Sequence, residues 1–351
     1  MLTSYTLAYY VYKINIRGDK HLSDLHVVIG SGTIGRRLAG ILASDGKRVI
    51  LVARSAAKEA IAGVEQKVAD ATSVESLLAA APKAKTVYNC ANPDYTKWTL
   101  EWPKLSNAVN QYVIQAEADL VICSNLYGYG PHDGVLTESQ PLNATWRNGQ
   151  ARAKVWKEAK ALHNEGKLRV TEVRGSDYIC ANEQSRMGDR VVPNLIQGKP
   201  VQLLGALDQP HTWTDPDDVA RLMMTLAEDD RSWGKPWHVP SNEPRTQREV
   251  VADIASELGI SKYRVSSAGI VLETILGLFS PMIRELNRGG YQFNKPFIVS
   301  SQAATESFGL KAKSWNKVIQ DLVWPYVEYS KTNGKQALAK LNGIRLPEKT
   351  L

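Results

Sequence analysis

The chain has 351 residues, 43% of them hydrophobic, and a formal net charge of +7 at pH 7. This length allows one large domain or one and a half, with a sizeable buried core. Basic and acidic residues alternate without a long basic run, so the charge favours a solvated surface and an anionic cofactor over a nucleic-acid or membrane partner.

The cysteine content and the apolar runs predict a reduced, cytoplasmic protein. Cys90, Cys123 and Cys180 are odd in number and far apart, which favours free thiols over a disulfide framework or a zinc site. Cys123 is predicted to be a small core residue. No apolar run reaches the roughly 18–20 residues of a membrane span. Residues 268–282 predict a buried or lid-like amphipathic helix, and residues 1–24 predict a loose extension without the pattern of a signal peptide.

A glycine turn near the start of the chain is the most informative motif. A short apolar run at residues 25–29 leads into three glycines spaced G-x-G-x-x-G, and a helical pattern follows at once. Such a turn lets the backbone approach a pyrophosphate and lets the helix N-terminus face the anion. The alternative is an ordinary tight turn between a strand and a helix. The predicted pyrophosphate-binding residues are Gly30, Gly32, Thr33, Ile34 and Gly35.

Strands and helices alternate through the first half of the chain, which predicts right-handed crossovers and an α/β, doubly wound parallel sheet over a core of residues 25–175. Beyond Gly175 the alternation is less regular, and residues 176–351 predict a mixed substrate-binding region whose late elements return to the core. The predicted strands are 47–53, 66–69, 85–90, 118–124, 168–173, 201–204 and 237–239; the predicted helices are 73–80, 98–117, 149–165, 217–227, 247–258, 303–308 and 315–330.

Further landmarks follow the glycine turn in order: Asp70, then residues 89–91, 123–131, 174–182 and 212–219. In this order they resemble the NAD(P)-dependent epimerase/dehydratase family, the extended branch of the short-chain dehydrogenase/reductases. The resemblance implies a Rossmann-type fold, a small-molecule substrate and a homodimer formed through two long helices.

The residues after the second strand bear on the choice of cofactor. NAD binders of this type usually place an acid there for the ribose 2′-hydroxyl, whereas this chain has Arg54. Arg54 offers a bidentate donor for the 2′-phosphate of NADP, and Arg36 could reach the same group. The sequence therefore favours NADP over NAD, with two solvated arginines as the alternative. By resemblance, the other cofactor-binding residues are Asp70 (alternatively a helix cap), Ala71, Cys90, Ala91 and Asn92.

The resemblance also implies a Tyr-x-x-x-Lys pair on the helix after the fifth strand, where the tyrosine moves a proton as hydride moves. Matching the small residues of this segment puts Asn148 at the tyrosine and Arg152 at the lysine. Matching Lys154 to the lysine puts Gln150 at the tyrosine. We prefer the first register because it keeps both small residues in place. Neither amide can act as a general acid or base, although Arg152 can still hold a ribose or an acidic substrate.

Other groups could replace the missing proton donor. Ser124 ends the fifth strand near the position where the family places its substrate-binding Ser or Thr, and Tyr127 and Tyr129 follow in the same loop. Together with Arg152 these are the candidate catalytic residues, and packing is the alternative role for both tyrosines. His132 and Asp133 could form an acid–base pair or an ordinary turn. The candidate substrate contacts are Asp177, Tyr178, His211 and Trp213.

Two functions are compatible with these observations. The first is an NADP-dependent oxidoreductase or epimerase/dehydratase-like enzyme with an atypical active site, acting on a small carbonyl, hydroxyl or sugar-type substrate. The alternative is a non-catalytic NAD(P)-binding sensor or regulatory module. The glycine turn and the large substrate region favour the enzyme, whereas the absent tyrosine favours the sensor. Nucleic-acid binding depends on the net charge alone and ranks below both.

Overall fold

A computed structural model of the chain describes residues 24–56, 59–182, 185–267 and 289–341, together with residue 346. Residues 1–23 of the predicted extension and the amphipathic helix predicted at 268–282 lie outside the described residues. Within the described ranges, no helix combines the length and apolar character needed to cross a bilayer.

Seven parallel strands form the central sheet, in the order β3-β2-β1-β4-β5-β6-β7. The strand order reverses between β1 and β4, and in such sheets ligands bind at the carboxyl ends of the strands near this reversal. The predicted α/β, Rossmann-type fold class is confirmed. The strands are β1 Leu25–Ile29, β2 Arg48–Ala53, β3 Val64–Val68, β4 Thr86–Asn89, β5 Asp119–Asn125, β6 Arg169–Gly175 and β7 Pro236–His238.

Helices cover both faces of the sheet, and three short strand pairs flank it. The helices are α1 Thr33–Ser44, α2 Val74–Ala80, α3 Trp98–Gln115, α4 Arg147–Asn164, α5 Val192–Ile196, α6 Pro216–Glu228, α7 Gln247–Glu257, α8 Tyr291–Asn294, α9 Gln302–Phe308 and α10 Trp315–Asn333. The short parallel pairs are Val135–Leu136 with Ile298–Val299, Asp177–Tyr178 with Trp213–Thr214, and Val201–Leu203 with Val265–Ser267.

The alternation of side chains along β5 separates two cores. Leu120 and Ile122 point to the face covered by α2, α3 and α4, whereas Val121 and Cys123 point to the face covered by α1 and α6. The same alternation puts Ser124, at the end of the strand, on the α3–α4 side. A third core lies among α5, α7 and α10 in the later part of the chain.

Two element boundaries differ from the sequence prediction for physical reasons. The third strand starts at Val64 rather than at 66, because β3 is an edge strand whose exposed polar residues form no apolar run. Helix α4 starts at Arg147 rather than at 149, and its N-cap Trp146 makes no side-chain capping bond that the sequence would signal.

Candidate functional site

The glycine turn between β1 and α1 is packed so closely that two of its glycines accept no side chain. Gly30 has φ +104°, and a Cβ added there would lie 2.7 Å from the backbone nitrogen of Ala91. A Cβ added to Gly35 would lie 1.8 Å from the carbonyl oxygen of Gly30. The turn is therefore fixed by contacts between backbone segments of β1, α1 and the loop after β4.

Gly32 differs from its two neighbours, because a Cβ added there would meet nothing within 4 Å. Gly32 is also the N-cap of α1, and no side chain caps this end of the helix. The first N–H groups of α1 face this open space, and a helix N-terminus favours an anion. The predicted residues Thr33 and Ile34 begin this helix, and Thr33 Oγ1 accepts a 2.9 Å hydrogen bond from Asn182.

The ends of β2 and β3 form a shallow cavity of about 150 Å³ beside the glycine turn. Exposed Arg54 follows β2. Hydrogen bonds from the backbone and hydroxyl of Thr72, with a smaller contribution from the charge of Arg54, lower the pKa of Asp70. The cap of α2 is Ser73, so the helix-cap alternative for Asp70 is wrong. The cavity is lined by Ser31, Leu51, Ala53, Ser55, Ala56, Gln66, Lys67 and Val68.

The remaining predicted cofactor residues surround the turn. Arg36 contacts Glu59, with Nη1 3.4 Å from its carbonyl oxygen and Nη2 4.0 Å from its carboxylate. Ala71 is buried near the end of β3. After β4, Cys90 donates its backbone N–H to Ile29 at 2.9 Å. Half-buried Ala91 and exposed Asn92 follow it.

The burial pattern of α4 distinguishes the two registers that the sequence left open. Asn148 and Arg152 are 1% and 3% exposed and face the sheet. Gln150 is exposed, and exposed Lys154 pairs with Glu158 at 3.6 Å. The inward positions on this helix therefore carry an amide and a guanidinium.

Arg152 and Ser124 form the central polar contact of the site. Arg152 Nη2 donates to Ser124 Oγ at 2.6 Å and to the carbonyl oxygen of Cys123 at 3.0 Å. The guanidinium lies 4.1 Å from the ring centre of Trp102, and burial lowers its pKa. Its Nε and Nη1 are buried without a hydrogen-bond partner among the described residues. Two unused donors on a buried cation fit an oxygen-rich ligand, such as a ribose or an oxyanion.

Asn148 has a structural partner at the position of the expected tyrosine. Its amide nitrogen donates to the carbonyl oxygen of Tyr95 at 3.1 Å. This contact ties α4 to the segment before α3. The Asn148 amide does not titrate near neutral pH, so it cannot act as a general acid or base for the substrate.

Tyr127 lies in an aromatic cluster, with its ring centre 4.9 Å from Trp146, 5.9 Å from Trp98 and 6.3 Å from Tyr95. Burial, with smaller contributions from Tyr95 and Asp177, raises the pKa of Tyr127. Tyr127 therefore holds its proton at neutral pH.

Tyr291, from α8, shares the surroundings of this cluster. Its hydroxyl is buried without a hydrogen-bond partner among the described residues. Burial first, then Asp177 and Tyr95, raise its pKa. Sequence reasoning missed both tyrosines: Tyr291 lies far along the chain from any motif of the cleft, and no pattern marks Tyr95, which follows the landmark at 89–91.

Asp177 and His211 form an ion-pairing contact after β6, with Oδ2 and Nε2 3.2 Å apart. Nδ1 of His211 lies 3.0 Å from the carbonyl oxygen of Gln292, and the imidazole stacks on Phe293 with ring centres 4.2 Å apart. Burial acts to raise the pKa of Asp177, but the hydrogen bond and charge of His211 lower it overall. Trp213 is a core residue that donates Nε1 to a backbone oxygen of Arg245 at 2.9 Å.

Tyr129 belongs to a different buried network. Its hydroxyl lies 2.8 Å from Nε2 of His238 and accepts from Arg174 at 2.5 Å, while Arg174 pairs with Glu172 at 2.6 Å. Burial raises the pKa of Tyr129 to about 12 and lowers that of His238 to about 4. The hydroxyl of Tyr129 and the ring of His238 therefore already have hydrogen-bond partners within the protein.

Of the two alternatives for His132 and Asp133, the structure excludes the acid–base pair. Asp133 is exposed and pairs with Lys295 at 3.5 Å. The ring of His132 packs against Phe297, with centres 5.6 Å apart, and neither ring nitrogen has a hydrogen-bond partner among the described residues. The turn geometry of these neighbours directs their side chains to different surroundings.

Cys123 is half-buried rather than enclosed in the core as the sequence predicted. Its sulfur lies 3.7 Å from the hydroxyl of Tyr178, on the α1–α6 side of the sheet. Sequence analysis placed Tyr178 as a substrate contact, and the structure adds a thiol beside its phenol.

Comparison with known proteins gives one family match and many structural matches. The model of the NAD dependent epimerase/dehydratase family matches residues 27–239. No curated protein sequence matches the chain. Among solved structures, UDP-N-acetylglucosamine 4-epimerase from Bacillus cereus is 13% identical with a TM-score of 0.69, covering 86% of this chain and 99% of that chain.

Two further structures have similar scores. A dTDP-glucose 4,6-dehydratase from Streptomyces venezuelae, solved with NAD and TYD bound, is 18% identical with a TM-score of 0.69 and covers 88% of this chain and 98% of that one. A GalE-like L-threonine dehydrogenase from Cupriavidus necator is 15% identical with a TM-score of 0.70, covering 85% and 98%. At these identities the likeness concerns the fold.

Proposed function

Because the chain belongs to the NAD-dependent epimerase/dehydratase family, we propose that it is an NADP-dependent oxidoreductase or epimerase/dehydratase-like enzyme. Its substrate is a small molecule with a carbonyl, hydroxyl or sugar-type group. The observation that carries the proposal is the 2.6 Å contact between Ser124 and Arg152, with two guanidinium donors left for a ligand.

The residues of the glycine turn fit a dinucleotide. The space beside Gly32 and the N-terminus of α1 would hold the pyrophosphate, and the cavity at the ends of β2 and β3 would hold the adenosine end. Exposed Arg54 at the end of β2 supports NADP, because no acid stands there to repel a 2′-phosphate. A bound nicotinamide supplies the hydride chemistry.

Ser124 and Arg152 would hold the reacting oxygen of the substrate. Since Arg152 Nη2 already donates to Ser124 Oγ, the hydroxyl hydrogen of Ser124 is free to point to another acceptor. The fixed positive charge of Arg152 would stabilise negative charge that develops on that acceptor. Burial strengthens this effect because little water screens the guanidinium.

Tyr127 is our candidate for the proton donor. Its raised pKa keeps the phenol protonated at neutral pH, so Tyr127 could act only as a donor, to a substrate oxygen that becomes strongly basic during the reaction. The charge of Asp177 contributes to the raised pKa of Tyr127, and Asp177 is itself held by His211 at 3.2 Å. Tyr129 is not part of this assignment, because its hydroxyl already bonds to Arg174 and His238.

The test is turnover of NADPH by the purified protein across a panel of aldehydes, ketones and nucleotide sugars. We expect substrate-dependent loss of NADPH absorbance, and a fall in kcat of about 10²–10³-fold in Ser124→Ala, which removes one donor to the reacting oxygen. Gln150→Ala, on the exposed face of α4, is the matched control and should leave kcat unchanged. Absence of turnover across the panel contradicts the enzymatic proposal.

A second candidate function, an NAD(P)-binding sensor, is favoured by Asn148 alone. Its amide donates to the Tyr95 carbonyl instead of presenting a proton to a substrate. A sensor would bind NADP⁺ and NADPH with clearly different affinities and turn over neither. Calorimetry with both nucleotides separates the two candidates, because similar affinities together with turnover exclude the purely sensory role.

We also propose a homodimer formed through the outer faces of α3 and α4. Leu100, near the start of α3, is 71% exposed, which is unusual for a large apolar side chain and supports a contact there. Light scattering should give the mass of a dimer, and Leu100→Glu should shift the equilibrium towards monomer. A monomeric wild-type protein would contradict this assignment.

A further inference from the structure

Two cysteines from neighbouring strands meet at the carboxyl edge of the sheet. Asn89, the last residue of β4, is in register with Ile122 of β5, so the next residues, Cys90 and Cys123, stand side by side. Neighbouring strands lie about 4.8 Å apart, which is within the Cα separations that disulfides span. Both side chains pack on the α1–α6 side of the sheet.

The two thiols are not equivalent. Two polar groups lie at Cys123: the phenol of Tyr178 is 3.7 Å from its sulfur, and the guanidinium of Arg152 binds its carbonyl oxygen. The neighbouring thiol of Cys90, helped by Tyr178 and the charge of Arg152, holds the pKa of Cys123 below its ordinary value despite burial. The thiol of Cys123 first, and then burial, raise the pKa of Cys90. Cys123 is therefore the better nucleophile of the pair.

The pair differs from the third cysteine in burial. Cys90 and Cys123 are half-buried residues, whereas Cys180 is 6% exposed and burial raises its pKa to about 12. Cys180 thus serves as an internal reference of low reactivity within the same chain.

Cys90 also touches the glycine turn. A Cβ added to Gly35 would lie 3.3 Å from the Cβ of Cys90, and one added to Gly30 would lie 2.8 Å from the carbonyl carbon of Cys90. Interiors packed this closely transmit a displacement of one side chain to its neighbours. A covalent change at Cys90 therefore alters the packing beneath the predicted pyrophosphate site.

We propose that Cys90 and Cys123 form a hydroperoxide-reactive dithiol site at the floor of the cofactor cleft. The Cys123 thiolate attacks one peroxide oxygen, the O–O bond breaks, and Cys123 becomes a sulfenic acid as the other oxygen leaves as water. The Cys90 thiol then attacks the Cys123 sulfur and a second water leaves. With hydrogen peroxide, two thiols are oxidised to one disulfide and the peroxide is reduced to two waters.

The experiment treats the reduced full-length protein with one equivalent of hydrogen peroxide and measures intact mass, free thiols and the disulfide-linked peptide. We expect a loss of two hydrogen atoms in mass and of two of the three thiols, with the peptides of Cys90 and Cys123 joined. Cys180→Ser should lose the same pair at the same rate. A disulfide that includes Cys180, or oxidation spread evenly over the three cysteines, overturns the proposal.

Single variants test the order of the two steps. In Cys90→Ser, Cys123 should stop at the sulfenic acid, which dimedone traps as a stable adduct. In Cys123→Ser, the rate of oxidation by hydrogen peroxide should fall at least about tenfold, because the activated thiol is gone. Equal rates in Cys123→Ser and wild type overturn the assignment of the nucleophile. Wild-type peptide mapping needs neither variant to fold, and none of these readouts depends on turnover, so they fail or succeed independently of the proposed enzyme.

Discussion

The two sides of the cleft are built by different means. On the side of β1 and α1, backbone packs on backbone, and Gly30 and Gly35 leave no room for a side chain. On the side of β5 and α4, buried polar side chains hold one another, as Arg152 holds Ser124 and His211 holds Asp177. The first side is therefore set by the backbone of a local turn packed on the loop after β4, whereas the second depends on side-chain contacts between distant segments.

The largest effect is expected from a substitution that disturbs only the side of β1 and α1. In Gly35→Val the new Cβ would meet the Gly30 carbonyl oxygen, so we expect a loss of about 3 kcal/mol in the free energy of unfolding together with loss of dinucleotide binding. Gly32→Val is the matched control, because its Cβ meets nothing within 4 Å. It should keep the stability within about 1 kcal/mol and still abolish binding. Denaturant unfolding and nucleotide titration measure both, and tight binding by Gly32→Val would contradict the assigned phosphate position.

A charge reversal at the end of β2 tests the selectivity for NADP over NAD without disturbing the fold. Arg54→Asp removes a charged donor to a 2′-phosphate and adds repulsion, so the preference for NADP over NAD should fall about 100-fold. Arg48→Asp, exposed at the opposite end of the same strand, makes the same charge change away from the cavity. Titration with both nucleotides gives the ratio; an unchanged ratio in Arg54→Asp removes this residue from the cofactor site.

The smallest predicted effect per residue is a pH dependence to which each side contributes one histidine. Burial lowers the pKa of His26 on β1 and of His238 on β7 from 6.5 to about 4. Between about pH 4 and pH 6.5 each of these histidines is protonated in the unfolded chain but neutral in the folded one. The free energy of unfolding is therefore largest above about pH 6.5 and decreases as the pH falls. From pH 7.5 to 5 we expect about 2 kcal/mol of loss per histidine.

Variants separate the two contributions in denaturant titrations at several pH values. His26→Gln should remove about half of the loss in the free energy of unfolding between pH 7.5 and 5. His238→Gln should remove the other half. Gln150→Ala, at an exposed position, is the control, and it should keep the full dependence of the free energy of unfolding on pH. A wild-type stability that is flat over this range would show that neither ring titrates as its burial implies.

Most of the fold followed from the sequence because parallel strands covered on both faces read as apolar runs between helical patterns. The family assignment and the glycine turn could also be predicted, because their signals are local in the sequence. For the register of α4, the small residues of the segment favoured Asn148 over Gln150, and burial decided between them, because Asn148 faces the sheet and Gln150 faces solvent.

The rest of the site could not be predicted, because its contacts join segments that are far apart in the chain. Tyr291 meets the cluster of Tyr127 from α8, and no local pattern marks it. The sequence left a pair of His132 with Asp133 open because adjacency in the chain does not say which neighbours each side chain meets, here Phe297 and Lys295.

The last strand of the sheet has a consequence for how the chain is made. β7 pairs with β6 through Trp237 and Val173, and His238 meets the hydroxyl of Tyr129, which also bonds to Arg174. During synthesis, β6 therefore remains an open edge until residue 238 has been added. The Glu172–Arg174 ion pair is enclosed only after that point. Nascent chains that end near residue 175 are therefore expected to expose this edge, and an open edge favours association until β7 is added.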